Sequence, residues 1–259
     1  MFSVWLVGAQ NRETRNVDSF NKIAFAVSGK AYVKQGTTQK VELEGSKDAL
    51  EKIEVTVNDG KLVIRSKDRW DWSWGKEDQI IAYITAKDIH ALSVSGSGDM
   101  EVQTKIVTGD LALKVSGSGD LKAEIEGNNV EASITGSGNM TLRGKCNNLE
   151  SRLSGSGDMD ADVSVADEFE VSISGSGKLS ASGKSNRVKA TVSGSGRVRA
   201  ADLEANVCDV KITGSGGVEI NVKNELNANI SGSGSVNYKG SPSHVNANSS
   251  GSGKVRKIS

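Results

Sequence analysis

Gly-Ser-Gly occurs nine times in the chain, with its first glycine at Gly96, Gly117, Gly136, Gly155, Gly175, Gly194, Gly214, Gly232 and Gly251. The intervals are 21, 19, 19, 20, 19, 20, 18 and 19 residues, and the copies hold 18 of the 30 glycines. Glycine is therefore punctuation here and not a source of general flexibility. Self-similarity at a period near 20 is the mark of a solenoid, in which each repeat packs on its two neighbours.

The segments between the glycines identify the kind of solenoid. Two, four and six residues before Gly117 lie Val115, Leu113 and Leu111; four, six and eight after it lie Leu121, Ala123 and Ile125. Around Gly214 the same slots hold Ile212, Val210 and Cys208, then Val218, Ile220 and Val222. Odd offsets are mostly polar. This alternation predicts strands with one buried face, two short strands per copy, one turn at Gly-Ser-Gly and a second about ten residues later. Pairing each strand with its equivalent in the next copy gives parallel sheets. The parity places both glycines inward, where two sheets converge and no side chain fits. It places the intervening serine (Ser97, Ser118, Ser137, Ser156, Ser176, Ser195, Ser215, Ser233 and Ser252) outward as a hydroxyl ladder. At roughly 4.8 Å per rung, the stack is about 38 Å long.

Composition narrows the function. Thirty-two basic residues balance 32 acidic ones, which argues against a nucleic-acid partner. No run of 18 apolar residues exists to span a membrane. Residues 1–9 are apolar, and Val7-Gly8-Ala9 has the small side chains of a signal cleavage site. They read as the remnant of a secretory signal, or else as an ordinary first strand.

Residues 10–90 carry the repeat only in part and are expected to cap the first rung of the stack formed by 91–259, whose open edge would otherwise recruit another chain. Ile23, Phe25 and Val27 lead into Ser28-Gly29 and then Ala31 and Val33, a degenerate rung. Val41 and Leu43 read as a strand, Ser46 to Lys52 as a helical turn, and Ile53 to Ile64 as a hairpin turning at Asp59-Gly60. Lys254, Arg256 and Lys257 suit an exposed terminal strand protected against pairing.

The segment opening at Asn16-Val-Asp-Ser-Phe20, the Ile23 to Gly36 segment and the nine Val/Ile-Ser-Gly-Ser-Gly-Asp/Asn-like rungs resemble the auto-transporter adhesin family called the head GIN domain. The resemblance covers nearly the whole chain from about residue 16. It implies an all-β, pectin-lyase-like right-handed parallel β-helix, secretion in Bacteroidetes-type bacteria and a role in cell adhesion.

Two sets of residues are candidate sites. Trp70, Trp72 and Trp74 alternate and so share one face if extended, with Asp71, Ser73 and Lys76 as polar neighbours. They read as packing over the end of the stack or between copies of the chain, or as a platform on which sugar rings stack. The position after Gly-Ser-Gly is acidic at Asp99, Asp120 and Asp158, a column for a weak Ca²⁺ site or for solvated turn residues. Catalytic signals are sparse. His90 falls in a core slot and His244 in the turn at Pro242, and no serine has a recognisable histidine and carboxylate. Cys208 occupies a core slot and Cys146 the outer turn, three rungs apart, so both are expected to be unpaired. The reading is a non-catalytic secreted or surface adhesin-like protein binding a glycan or a surface protein. The alternatives are a polysaccharide lyase, which needs Arg, Lys and Asp clustered over adjacent rungs, and a structural envelope protein.

Overall fold

The computed structural model describes residues 11–67 and 79–258. Nine strands and a short helix precede the regular repeats: β1 (Asn11–Thr14), β2 (Lys22–Ala26), β3 (Gly29–Gln35), β4 (Lys40–Gly45), α1 (Lys47–Glu51), β5 (Ile53–Asn58), β6 (Lys61–Ser66), β7 (Ile80–Ala86), β8 (Ala91–Gly96) and β9 (Asp99–Val102). Two strands, β10 (Ile106–Val107) and β11 (Asp110–Gly117), complete the next rung. Long strands follow: β12 (Asp120–Gly136), β13 (Asn139–Gly155), β14 (Asp158–Gly175), β15 (Lys178–Gly194), β16 (Arg197–Gly214) and β17 (Gly217–Gly232). The chain closes with β18 (Ser235–Gly240), β19 (His244–Gly251) and β20 (Lys254–Lys257).

From β8 onward every pairing is parallel, and each rung aligns with the next glycine on glycine: Gly96, Gly117, Gly136, Gly155, Gly175, Gly194, Gly214, Gly232, Gly251. The protein is a parallel β-helix of about nine turns. Each turn has two arms, one before and one after Gly-Ser-Gly, and alternate residues of both arms meet in a shared apolar core. Leu111, Leu113, Val115, Phe169, Val171, Ile173, Ile212 and Ile230 are all within it.

Three expectations about the repeat are corrected. First, the strand is not broken at the second corner. It bends there while remaining hydrogen-bonded to the rung below, so β12 to β17 are each 16 to 18 residues long. The inward parity survives one step into the bend, which makes Cys146 a buried residue and not one of an outer turn. It stacks on Val165. Second, the two glycines of the motif have different jobs. The first is partly exposed and sits at φ near +110° to +120° in most copies, as at Gly155 (+118°). A Cβ at Gly155 would lie 2.4 Å from the carbonyl oxygen of Gly136 beneath it. Only the second glycine faces inward, where a Cβ at Gly196 would lie 2.4 Å from Ile173 Cγ2. Third, His90 is exposed and Ile89 fills the interior instead. The chain arrives at β8 by a crossing from β7, where the phase slips by one residue; an imidazole is costly to desolvate and an isoleucine is not.

The N-terminal strands do not stack in chain order. β2 pairs with both β6 and β8, and β3 with both β7 and β9. The degenerate rung β2–β3 therefore lies between the β8–β9 rung and an outermost rung made of β6 and β7. Antiparallel strands then cover the outer edges: β5 on β6, β4 on β7, and β1 on β4. The β5–β6 hairpin turns through Asp59 (φ +49°) and Gly60 (φ +70°), the paired positive φ values of a tight hairpin turn. Ser46 caps α1, accepting from the Ala49 amide at 3.2 Å, and Ala49 and Leu50 are buried over the end of the core. The last strand exposed at this end, β1, is four residues long and fully exposed, the kind of short polar edge that resists further pairing.

Both cysteines are free and buried. Burial raises the Cys146 thiol to about 11, and burial with the nearby Asp209 charge raises Cys208 to about 12. A thiol with a raised folded pKa favours the fold below its unfolded pKa, near 9.0, and loses that contribution as pH rises towards the folded value. Stability is thus expected to fall between about pH 9 and 12. Neither thiol should react with an aromatic disulfide reagent at pH 8 until the protein is unfolded. Rapid labelling of native protein would contradict this.

Candidate binding surfaces

Since the arms fill the space between them with their own side chains, chemistry is displayed outside, in columns that repeat one residue per rung. Three such surfaces stand out.

The first runs along the Gly-Ser-Gly edge. The serine between the glycines is exposed in all nine copies, as expected. A second hydroxyl column flanks it, one position before the first glycine: Ser95, Ser116, Thr135, Ser154, Ser174, Ser193, Thr213, Ser231 and Ser250. Threonine replaces serine in this column at Thr135 and Thr213 and keeps the hydroxyl. The edge is thus Ser/Thr–Gly–Ser in every rung, with no charged side chain at any of these positions.

The second is a groove of about 640 Å³ on the outer face of the arm preceding Gly-Ser-Gly. It crosses the rungs from His90 to Glu170 and is acidic, with Asp110, Glu131, Glu150, Glu168 and Glu170 along its walls. Part of this charge is met locally. Arg152 pairs with Glu131 at 2.8 Å and with Glu150, and Lys189 with Glu168 at 2.8 Å, which raises the Lys189 pKa. Amide ladders strengthen the wall: Asn148 donates to Asn129 at 3.0 Å, and Asn129 to Asp110 at 2.8 Å.

The third lies on the other arm, towards the second corner, where Gly144, Gly183 and Gly240 have φ of +127°, +110° and +92°. Arg143, Asp162, Lys184, Asp202 and Lys239 surround it. β16 bulges here, its register shifting between Ala200 and Glu204 against β17. The charges are of both signs and lie over several rungs.

Of the sequence candidates, the acidic column is assembled in part. Asp99, Asp120, Asn139 and Asp158 stack in register, followed by Lys178. Asp99 accepts from the Asp120 amide at 3.2 Å, Asp120 from the Asn139 amide side chain at 2.9 Å, and Asp158 pairs with Lys178 at 2.9 Å. Asn139 separates Asp158 from the other two, and among the described residues no three His, Cys, Asp or Glu side chains gather in a way that suits a metal ion. Trp70, Asp71, Trp72, Trp74 and Lys76 lie outside the described residues, as does the 1–9 segment. The strands that flank the tryptophans, β6 and β7, are the two arms of the outermost rung.

His90 Nδ1 lies 3.2 Å from Thr108 Oγ1 and 3.4 Å from the Asp110 carbonyl oxygen. His244 Nδ1 lies 3.0 Å from Ser243 Oγ. Among the described residues neither imidazole contacts a carboxylate that would orient it as a base. Among the described residues no helix is long and apolar enough to cross a membrane.

A family model described as "putative auto-transporter adhesin, head GIN domain" matches residues 19–178 and 159–242. Among solved structures, a "putative lipid binding protein" from Parabacteroides distasonis has a TM-score of 0.74 and 22% identity, covering 98% of each chain. A "putative adhesin" from Parabacteroides merdae has a TM-score of 0.73 and 19% identity, again over 98% of each. A second "putative adhesin" from P. distasonis has a TM-score of 0.72 and 22% identity, over 97% of this chain and 98% of that one. At these identities the likeness shows the fold. No curated protein matches the chain by sequence.

Proposed function

Because the chain belongs to the auto-transporter adhesin family built on the head GIN domain, we propose that it is a non-catalytic, secreted or cell-surface protein that binds glycans through its outer columns. The observation that carries this reading is the exterior itself. Each turn presents the same positions about 4.8 Å further along, with an unbroken hydroxyl and glycine edge and long polar grooves on both arms. Such a surface suits an extended polymer that is touched many times weakly.

A polysaccharide lyase would need a base and neutralising cations over adjacent rungs. Here four basic residues of the arms, Arg152, Lys178, Arg187 and Lys189, are engaged in ion pairs with neighbouring rungs. The tryptophan strip is proposed as one contact, with Trp72 and Trp74 stacking on sugar rings beside Asp71 and Lys76. The test is a glycan array with the purified chain, followed by the double variant Trp72→Ala, Trp74→Ala. Lost binding with unchanged melting and assembly supports the contact, whereas a large fall in melting temperature or dissociation removes it. Release of unsaturated sugar products from any bound polysaccharide would overturn the non-catalytic reading.

A further inference from the structure

The inverted stacking order at the N-terminal end brings together two tyrosines that lie far apart in the chain. Tyr32 on β3 and Tyr83 on β7 are register partners, and their rings stack at 5.6 Å between centroids and 25° between planes. Behind them, the Arg12 guanidinium lies 4.0 Å from the Tyr83 ring centroid and is fixed by Glu42 at 2.9 Å. One face of the ladder Arg12–Tyr83–Tyr32 is thereby closed, and Tyr32, half-buried, is its last ring, with Glu101 next in the column.

Tyr32 borders a small pocket of about 80 Å³ on the outer face of three successive rungs. Two columns form its walls. One is Lys30, Asp99 and Asp120; the other is Tyr32, Glu101 and Lys122. Ala31 and Met100 make the floor. The columns stand two residues apart along the strands, about 6.6 Å. Farther along the stack the column charges neutralise one another, as Lys178 does Asp158 and Lys189 does Glu168. Around Tyr32, by contrast, Lys30, Glu101 and Lys122 enter no ion pair among the described residues.

The chemistry of this pocket selects its ligand. Three carboxylates stand against an anion and two ammonium groups against a cation, and a ligand without charge meets neither objection. The walls offer both strong acceptors and strong donors beside an aromatic ring whose position is set from behind. A ligand that uses all three has vicinal hydroxyls on one side and an apolar C–H face on the other. We propose that the pocket is a pyranose subsite: the sugar's C–H face packs on Tyr32 while Glu101 and Asp99 accept from its hydroxyls and Lys122 and Lys30 donate to its oxygens. This rests on the glycan-binding reading and names Tyr32 and its neighbours, not the tryptophans, as the contact.

The experiment is saturation-transfer proton NMR on the full chain with millimolar methyl β-galactopyranoside, methyl β-glucopyranoside and methyl α-mannopyranoside in turn. The wild type is expected to transfer saturation to the ring protons of at least one of them. Tyr32→Phe keeps that signal, because the ring and not the hydroxyl makes the contact. Tyr32→Ala and Glu101→Gln weaken affinity roughly tenfold, as the loss of one ring contact or one charged acceptor implies. Glu101 is exposed, so its variant is expected to melt with the wild type and serves if Tyr32→Ala unfolds. No signal from any of the three sugars, or a signal unchanged in Tyr32→Ala and Glu101→Gln, overturns the subsite. Parallel binding to immobilised glycans separates the two claims. Equal capture of wild type and Tyr32→Ala leaves the glycan role standing without this pocket, and no capture of the wild type removes both.

Discussion

Gly155→Ala is expected to destabilise the protein by about 4 kcal/mol, adding the strain of an L-residue held at positive φ to that of an overpacked contact. The new methyl would meet Gly136 O at 2.4 Å, and that oxygen belongs to the backbone of the rung beneath, which cannot rotate away. The same oxygen accepts the Ser156 amide at 2.9 Å, so opening the gap costs a ladder hydrogen bond too. Gly96 provides the control. It also has positive φ (+81°), but nothing lies within 4 Å of its would-be Cβ because the rung beneath is the degenerate one. Gly96→Ala should therefore cost only the backbone term, about 1–2 kcal/mol. Ser156→Ala, on the exposed residue between the glycines, should stay within about 0.5 kcal/mol of wild type. Urea unfolding gives all three values, and a Gly155→Ala variant as stable as Gly96→Ala would refute the stacked-carbonyl account.

Phe169→Ala should cost a similar amount, about 3–5 kcal/mol, for a different reason. Phe169 is fully buried between Leu149 below and Val188 above, in the middle of the stack. Each rung contacts its neighbours alone, so the cavity cannot be filled by a distant rearrangement. Phe169→Leu keeps most of the volume and should lose about 1.5 kcal/mol or less. A smaller loss for alanine than for leucine would show that the site is not the packed centre described.

These two positions also show what could be read without coordinates. Phe169 was legible because strands alternate with a period of two and Gly-Ser-Gly anchors the count. The same count predicted the parallel register and the exposed serines. It failed where the backbone departs from extended geometry. A positive φ at the first glycine breaks the alternation, which is why parity alone placed that glycine inward. The bend at the second corner keeps parity one step further than a turn would, so Cys146 was misplaced. At His90 the crossing from β7 slips the phase.

Stacking order was not legible at all at the N-terminal end. The pattern of β2 and β3 shows that they form a rung, yet nothing local says that the chain will place β6 and β7 outside it and return to β8. For that reason the Tyr32–Tyr83 ladder had no signature in the sequence: the two residues are brought together by the inversion alone. The hydroxyl edge was legible, since the serine inside the motif and the Ser or Thr before it recur at fixed offsets from the glycines. The tryptophan strip stands out in the sequence because three indoles alternate within five residues.

The central claim is that successive Gly-Ser-Gly copies lie directly on one another and so convert the sequence period into columns on the surface. Cysteine cross-linking measures this directly. Ser156 and Ser176 follow register-paired glycines on adjacent rungs. Their Cα atoms are about 4.8 Å apart, inside the roughly 4.4–6.8 Å range of disulfides. Ser156 and Ser195 are two rungs apart, about 9.6 Å, outside that range. The native thiols of Cys146 and Cys208 are buried and do not compete. Under mild oxidation, the double variant Ser156→Cys, Ser176→Cys is expected to form an intramolecular disulfide, and Ser156→Cys, Ser195→Cys to remain reduced, as read by mass spectrometry. Linkage of the two-rung pair, or failure of the adjacent pair while both its thiols accept a label freely, would contradict the stack and every column built on it.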